Sequence, residues 1–189
     1  MITEGEFLAR KGQHNQRVVW VNGFNKGWAD LDPKHHANEI AMMGTAKARL
    51  ELDLAELQEK YRIDAFRSRL VVVTHGVSFG LPGIAHEVCD RLGIQTVAVA
   101  SAASLRSKPC VGEIIAAGAN LSDESPILNR IADELWLFGG EELGKIEAET
   151  FAERGKERER VMSTRIYTLF GGPAGELTGD SIKACFVVS

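Results

Sequence analysis

Apolar and polar positions along the chain fall into short runs separated by glycine-rich breaks. The stretch Arg17–Phe24 (RVVWVNGF) is β-branched and ends on Asn-Gly, which predicts a first strand. Ile40, Met43, Ala46, Leu50, Leu54 and Leu57 keep a helical spacing, predicting a long amphipathic helix from about Ala37 to Tyr61. Arg69–His75 is read as a strand around the unbroken apolar run Leu70 to Val73, as expected of a strand buried on both faces of a parallel sheet. Ile84–Gly93 reads as a helix with a glycine stop, and Ile94–Ser101 as a third strand. A loop follows, then a short helix over EIIAAGAN and another from Ser122 to Ala132. Asp133–Gly140 predicts a fourth strand, and EELGKIEAETFAERGKERER the helix after it. RIYTLFGG and IKACFVVS are expected to pair as an antiparallel hairpin at the sheet edge, and residues 1–16 to form a loose polar arm.

Strand and helix alternate, which predicts an α/β fold: a Rossmann-like three-layer domain with a mostly parallel sheet and a C-terminal edge hairpin. Residues 17–189 are read as this single domain. Right-handed crossovers bring the strand C-terminal ends to one edge, where open α/β sheets bind ligands. Three predicted strands end there in small or polar turns: Asn22-Gly23-Phe24, Thr74-His75-Gly76 and Phe138-Gly139-Gly140.

Composition narrows the function classes. A net charge of −4 argues against polymeric nucleic acid as a partner, and the most basic stretch, Arg154–Arg160, is interleaved with Glu as in a solvated helix face. No run reaches the ~18 consecutive apolar residues of a membrane helix. Three scattered cysteines without a CxxC pair point to a reducing, cytoplasmic setting and to neither a disulfide frame nor a zinc site.

The turn GVSFGLPG (Gly76–Gly83) carries the chain from the second strand into a helix. Its glycines permit positive φ and close backbone approach, and the helix start after it aims N–H groups at the turn. Without the lysine of a P-loop or the spacing of GxGxxG, this predicts a backbone cradle for a phosphate or carboxylate, set against a plain steric turn. Candidate ligand contacts are Gly23, Phe24, Asn25, Thr74, His75, Gly76, Ser78, Gly80, Leu81, Pro82, Gly83, Gly139, Gly140 and Glu141. The carboxylates of FGGEELGKIE are read as partners of a helix dipole, or else as acceptors for a ribose hydroxyl or activators of water. No metal is expected: His35-His36 diverge on a helix, and His86-Glu87 lacks the second histidine of HExxH. Trp28 is the tryptophan placed to stack on a ligand.

On VVVTHGVSFGLPGIAHEVCDRLGIQTVAVAS and ADELWLFGGEELGKIEAE the chain resembles the LOG-like Rossmann proteins. That superfamily includes lysine decarboxylase-like phosphoribohydrolases, SLOG nucleotide-binding domains and molybdenum-cofactor carriers. Gly80-Leu81-Pro82-Gly83 stands where the family has Gly-Leu-Met-Gly or Gly-Ile-Pro-Gly, and Ala132-Asp133 followed by Gly139-Gly140 matches its later strand. The hydrolase motif PGGxGTxxE departs here: Phe138 replaces Pro, and no Gly-Thr follows. An ungapped count puts Ile146 at the catalytic Glu, a count through Gly144 puts Ala148 there, and Glu147 falls between. The resemblance implies Glu147 and Arg130 as catalytic residues, Arg130 being the one arginine of the preceding helix. It also implies a homodimer or higher homo-oligomer, for which the long helix is the expected contact.

Three expectations follow. The chain binds a nucleotide or nucleotide-derived phosphate ligand at the strand C-terminal edge, as sensor or carrier, with no further cofactor required. Alternatively it hydrolyses the N-glycosidic bond of nucleoside 5′-monophosphates, with Glu147 stabilising the sugar cation. Alternatively it is an assembly subunit with a vestigial site.

Overall fold

The computed structural model describes residues 1–23, 36–63, 69–106, 112–139, 142–157, 163–167 and 185–188. Strands β1 (Gln16–Gly23), β2 (Arg69–His75), β3 (Gln95–Ala100), β4 (Glu113–Ala116), β5 (Glu134–Phe138), β6 (Ser163–Tyr167) and β7 (Cys185–Val188) form one sheet. Its order is β4-β3-β2-β1-β5-β6-β7, and every neighbouring pair is parallel. Helices α1 (Glu4–Gln13), α2 (His36–Ile63), α3 (Gly80–Leu92), α4 (Ala102–Arg106), α5 (Glu124–Ile131) and α6 (Glu142–Glu157) accompany it. This is the three-layer Rossmann-like architecture that the alternating pattern predicts.

The two faces of the sheet bury separate cores. Val18, Trp20, Val71, Val73, Leu135 and Leu137 pack with α5, α6 and Phe7 of α1. Val19, Val21, Val72, Trp136 and Phe138 pack with α2 and α3. Consecutive strand residues therefore face opposite helix layers, as the pleat requires. The long helix carries Ala46, Leu50, Leu54 and Leu57 into the second core at its expected period, and Met43 is buried on the same helix. Each buried leucine of this kind contributes about 1.5–3 kcal/mol. Cys89 is a buried filler of that core, its thiol pushed up to about 12 by burial.

Four segments differ from the sequence reading. The N-terminal arm is the helix α1, closed by a capping box in which Thr3 accepts from the Glu6 N–H and Glu6 accepts from the Thr3 N–H. Phe7 is fully buried and Ile2 bridges Ile115 on the free side of β4, so one apolar residue in a polar segment suffices to dock it. The segment EIIAAGAN opens as strand β4, because its β-branched pair lies beside β3 and tertiary pairing overrides helix propensity. The loop after β3 contains the short helix α4. The last two strands pair in parallel, not as a hairpin, continuing the register from Thr164↔Cys185 to Tyr167↔Val188.

Candidate functional site

The strand order fixes where a crevice opens. From β1 the chain builds outward through β2, β3 and β4, then returns to the other side of β1 with β5 and builds outward again. The reversal lies between β1 and β5, and open α/β sheets bind ligands outside the strand C-terminal ends at that position. Register there pairs Gly23 with Phe138, so Asn22-Gly23 and Phe138-Gly139 end side by side.

Asn22 is the last side chain of β1 on the α5/α6 face. Its Nδ2 donates to Glu147 Oε2 of α6 at 2.6 Å, while its Oδ1 accepts the Gly23 N–H at 2.9 Å. Ser125 of α5 donates its hydroxyl to Glu147 Oε1. His75, at the end of β2, reaches to 3.7 Å from that oxygen with Nε2, and its ring lies edge-on to Trp20. Asn22 and Glu147 are 3% and 5% exposed. Four elements thus deliver four polar side chains to one buried point beside the reversal.

A second carboxylate lies nearby. Glu124, also on α5, accepts from the Ser101 N–H at 2.9 Å and from the Ser104 hydroxyl. Burial raises its pKa, but the bonds from Ser101 and Ser104 outweigh that and hold the carboxyl below its ordinary value. For His75 the balance runs the other way. Burial pushes its pKa down, and the opposing pull of Glu147 and Glu124 does not restore it. The imidazole is therefore held neutral between two carboxylates.

The glycine turn sits on the other face of the same edge. Helix α3 starts at Gly80, and its N-cap, Phe79, makes no side-chain capping hydrogen bond. The first N–H groups of a helix have no intrahelical acceptor, and Pro82 in the first turn brings none. Gly80 is left-handed at φ 60°. The remaining turn glycines answer to protein atoms. A Cβ on Gly76 would lie 2.3 Å from Ala100 Cβ, one on Gly83 2.5 Å from the Ser78 carbonyl oxygen, and one on Gly23 2.3 Å from the Phe138 carbonyl oxygen and 2.9 Å from Leu81. Internal packing alone accounts for these three, and the case for a ligand rests on the helix start and the strand reversal. The Gly23–Leu81 approach also shows that the α3 start adjoins the strand that carries Asn22.

The structure thus brings Gly23, His75, Gly139 and Glu147 to one edge with the Gly76–Gly83 turn. Leu81 and Pro82 are buried and Ser78 is exposed. Thr74 faces the α3 layer, where its hydroxyl bonds the His75 carbonyl at 3.1 Å and contacts His86 Nε2 at 3.0 Å. Of the three registers for the hydrolase glutamate, Ile146 is 51% exposed and Ala148 lies in the core, whereas Glu147 points at Asn22. Arg130 lies apart: it closes α5 just before β5 starts, at the strand N-terminal edge, and forks onto Glu4 with two 2.8 Å bonds. Phe24, Asn25, Trp28, Gly140 and Glu141 lie outside the described residues, as do the side chains of His35 and His36.

Asn22, Ser125 and Glu124 are functional candidates that sequence reasoning missed. Asn22 had a signal, since strand alternation puts it opposite Gly23 and on the face of Trp20. Ser125 and Glu124 had none, because they read as the ordinary polar first turn of a helix. Among the described residues no group of three or more His, Cys, Asp or Glu side chains is arranged to hold a metal, and no helix is long and apolar enough to cross a membrane.

The fold and this edge place the chain among the Rossmann-like α/β proteins. The chain matches no protein-family profile and no curated protein at a significant level. Solved structures do match. One is a Moco carrier protein from Chlamydomonas reinhardtii, with 16% identity, a TM-score of 0.55, and coverage of 92% of this chain and 90% of that one. Another is the X-ray structure of TM1055, a structural genomics target, with 17% identity, a TM-score of 0.54, and coverage of 82% of this chain and 75% of that one. At such identities the likeness is one of fold.

Proposed function

We propose that this protein binds a small phosphate-bearing ligand of nucleotide type at the strand C-terminal edge and acts as a carrier or sensor. The observation that carries this reading is the α3 start: its N-cap Phe79 makes no side-chain capping bond, and it abuts Gly23 at the strand reversal. A phosphate there would accept from backbone N–H groups and meet the positive end of a 13-residue helix. The sugar or base would extend over Gly23 and Gly139 towards Asn22 and Glu147, whose carboxylate suits a hydroxyl or amino donor. The likeness to a Moco carrier protein favours a carrier over a catalyst. In this reading the protein acts in the cytoplasm as a homodimer formed through the outer side of α2, where Leu52 is 61% exposed.

A thermal-shift series with nucleoside mono- and diphosphates tests it. A ligand at 100 times its Kd adds about 2.7 kcal/mol of stability. A flat series across all phosphates, with an unperturbed Gly76–Gly83 turn, would remove the reading.

A second reading, hydrolysis of an N-glycosidic bond, draws on one observation: Glu147 is buried, doubly hydrogen-bonded and aimed at the reversal. Against it, the arginine of α5 lies at the opposite edge, and the α5 side chains near the cluster are Ser125 and Glu124. Release of free base from nucleoside monophosphates, lost in Glu147→Gln, would favour this reading over binding alone.

A further inference from the structure

The structure assigns a second ligand site to this chain, at the N-terminal edge of the sheet, shaped for a small phosphorylated molecule that also carries hydroxyl groups. It is independent of the reading above, since the two sites lie at opposite ends of the strands.

The site is a cleft of about 500 Å³. That lies within the roughly 300–1,000 Å³ of small-molecule sites. Gln16 and Arg17 at the start of β1 form part of its lining. Lys11 enters from the last turns of α1, Tyr61 from the end of α2, Arg130 from the end of α5 and Arg154 from α6. Lys11, Arg17, Arg130 and Arg154 bring four cationic side chains to the cleft, the first three paired with Asp133, Glu134 and Glu4.

Much of this charge already has a structural use. Lys11 bonds Asp133 at 2.8 Å and the Ile131 carbonyl at 2.7 Å, and Arg17 bonds Glu134 at 3.1 Å. Arg154 donates to the Ala132 carbonyl at 3.3 Å. These contacts tie down the C-terminal end of α5, as cations at a helix end do. They do not explain the floor of the cleft. Gln16 is 7% exposed, and among the described residues neither its buried Oε1 nor the buried Arg17 Nε has a hydrogen-bond partner. An unsatisfied buried acceptor or donor costs about 1–3 kcal/mol.

One donor and one acceptor are therefore left at the start of β1, inside a ring of cations. A phosphate oxygen satisfies Arg17 Nε, and a ligand hydroxyl satisfies Gln16 Oε1. Guanidinium groups present planar donor forks that match phosphate geometry. Tyr61 adds a ring wall and a hydroxyl that burial keeps protonated. A simple inorganic anion would leave Gln16 unsatisfied, so the chemistry favours a sugar phosphate.

Amide-resolved NMR titration of the full chain with ribose 5-phosphate, and with ribose as the neutral control, tests this. Saturable shifts at Gly12, Asn15, Gln16 and Arg17 are expected with the phosphate and not with ribose. Gln16→Leu should weaken the affinity about tenfold, the equivalent of one hydrogen bond. Arg130→Gln, at the exposed rim where folding is not at risk, should weaken it about threefold, as for one exposed charge pair. Absence of saturable shifts at these amides, shifts confined to Gly76–Gly83, or equal affinity in Arg130→Gln would overturn the assignment.

Discussion

Asn22 and Glu147, 125 positions apart in the chain, meet at 2.6 Å where β1 ends beneath α6. The bond fixes a buried carboxylate at the strand reversal, with Ser125 holding its other oxygen. Glu147→Ala leaves the Asn22 amide buried without its acceptor and should destabilise the fold by about 1–3 kcal/mol. Glu147→Gln keeps the shape and should cost less. Urea denaturation of the two variants checks the order; equal losses would show that the carboxylate is not what Asn22 is matched to.

His75 makes stability depend on pH. Its folded pKa lies below the ordinary 6.5, so the unfolded chain binds the proton first. Its contribution is complete above 6.5 and is lost as pH falls from there towards the lowered folded value. Glu124 acts in a lower window: its folded pKa lies below 4.5, so its contribution is present above 4.5 and fades as pH falls through the folded value. His75→Gln should flatten the stability profile just below pH 6.5 and leave the more acidic loss in place. Denaturant midpoints across that range decide, and an unchanged slope would assign the titration elsewhere.

Gly80 and Gly76 should fail for different reasons. Gly80 holds a left-handed backbone, where an L side chain costs about 1–2 kcal/mol. Gly80→Ala is therefore expected to lower the unfolding midpoint modestly, and to weaken any phosphate bound at the α3 start. Gly76→Ala drives a methyl to 2.3 Å from Ala100 Cβ, between β2 and β3, and should be the more damaging of the two. Thermal melts of both variants, with and without ligand, separate the two effects.

Phe7→Ala should cost about 3–5 kcal/mol, the usual loss for a buried aromatic cut to alanine. That figure belongs to a core residue, not to a loose arm. A loss under about 1 kcal/mol by chemical denaturation would mean that α1 does not share in the cooperative unit.

Period and turn chemistry made most of the fold legible. Arg69–His75 announced a buried parallel strand because Leu70 to Val73 is an unbroken apolar run, and the spacing from Met43 to Leu57 announced α2. What stayed hidden depended on partners distant in sequence. Glu113–Ala116 becomes a strand because β3 offers its edge, and Cys185–Val188 runs parallel because it adds beyond β6; neither pairing leaves a local mark. The candidate site divides the same way. Glycine turns after strands pointed to the edge, but the mates of Glu147 come from a strand-end asparagine and a first-turn serine. Arg130 was misleading because helix membership says nothing about which end of the sheet a residue reaches.

The bridge from Ile2 to Ile115 bears on the order of assembly. Ile2 exchanges backbone bonds with Ile114 and Ala116, and Arg10 forks onto Glu113, so these residues have partners more than a hundred positions downstream. The capping box lets α1 coil early from local contacts, but the core that takes Phe7 also needs Ile115 of β4 and Leu128 of α5. Such distant pairings close slowly, because the intervening chain must first be ordered. Helix α1 is thus fastened late, and its docking completes the wall of one core.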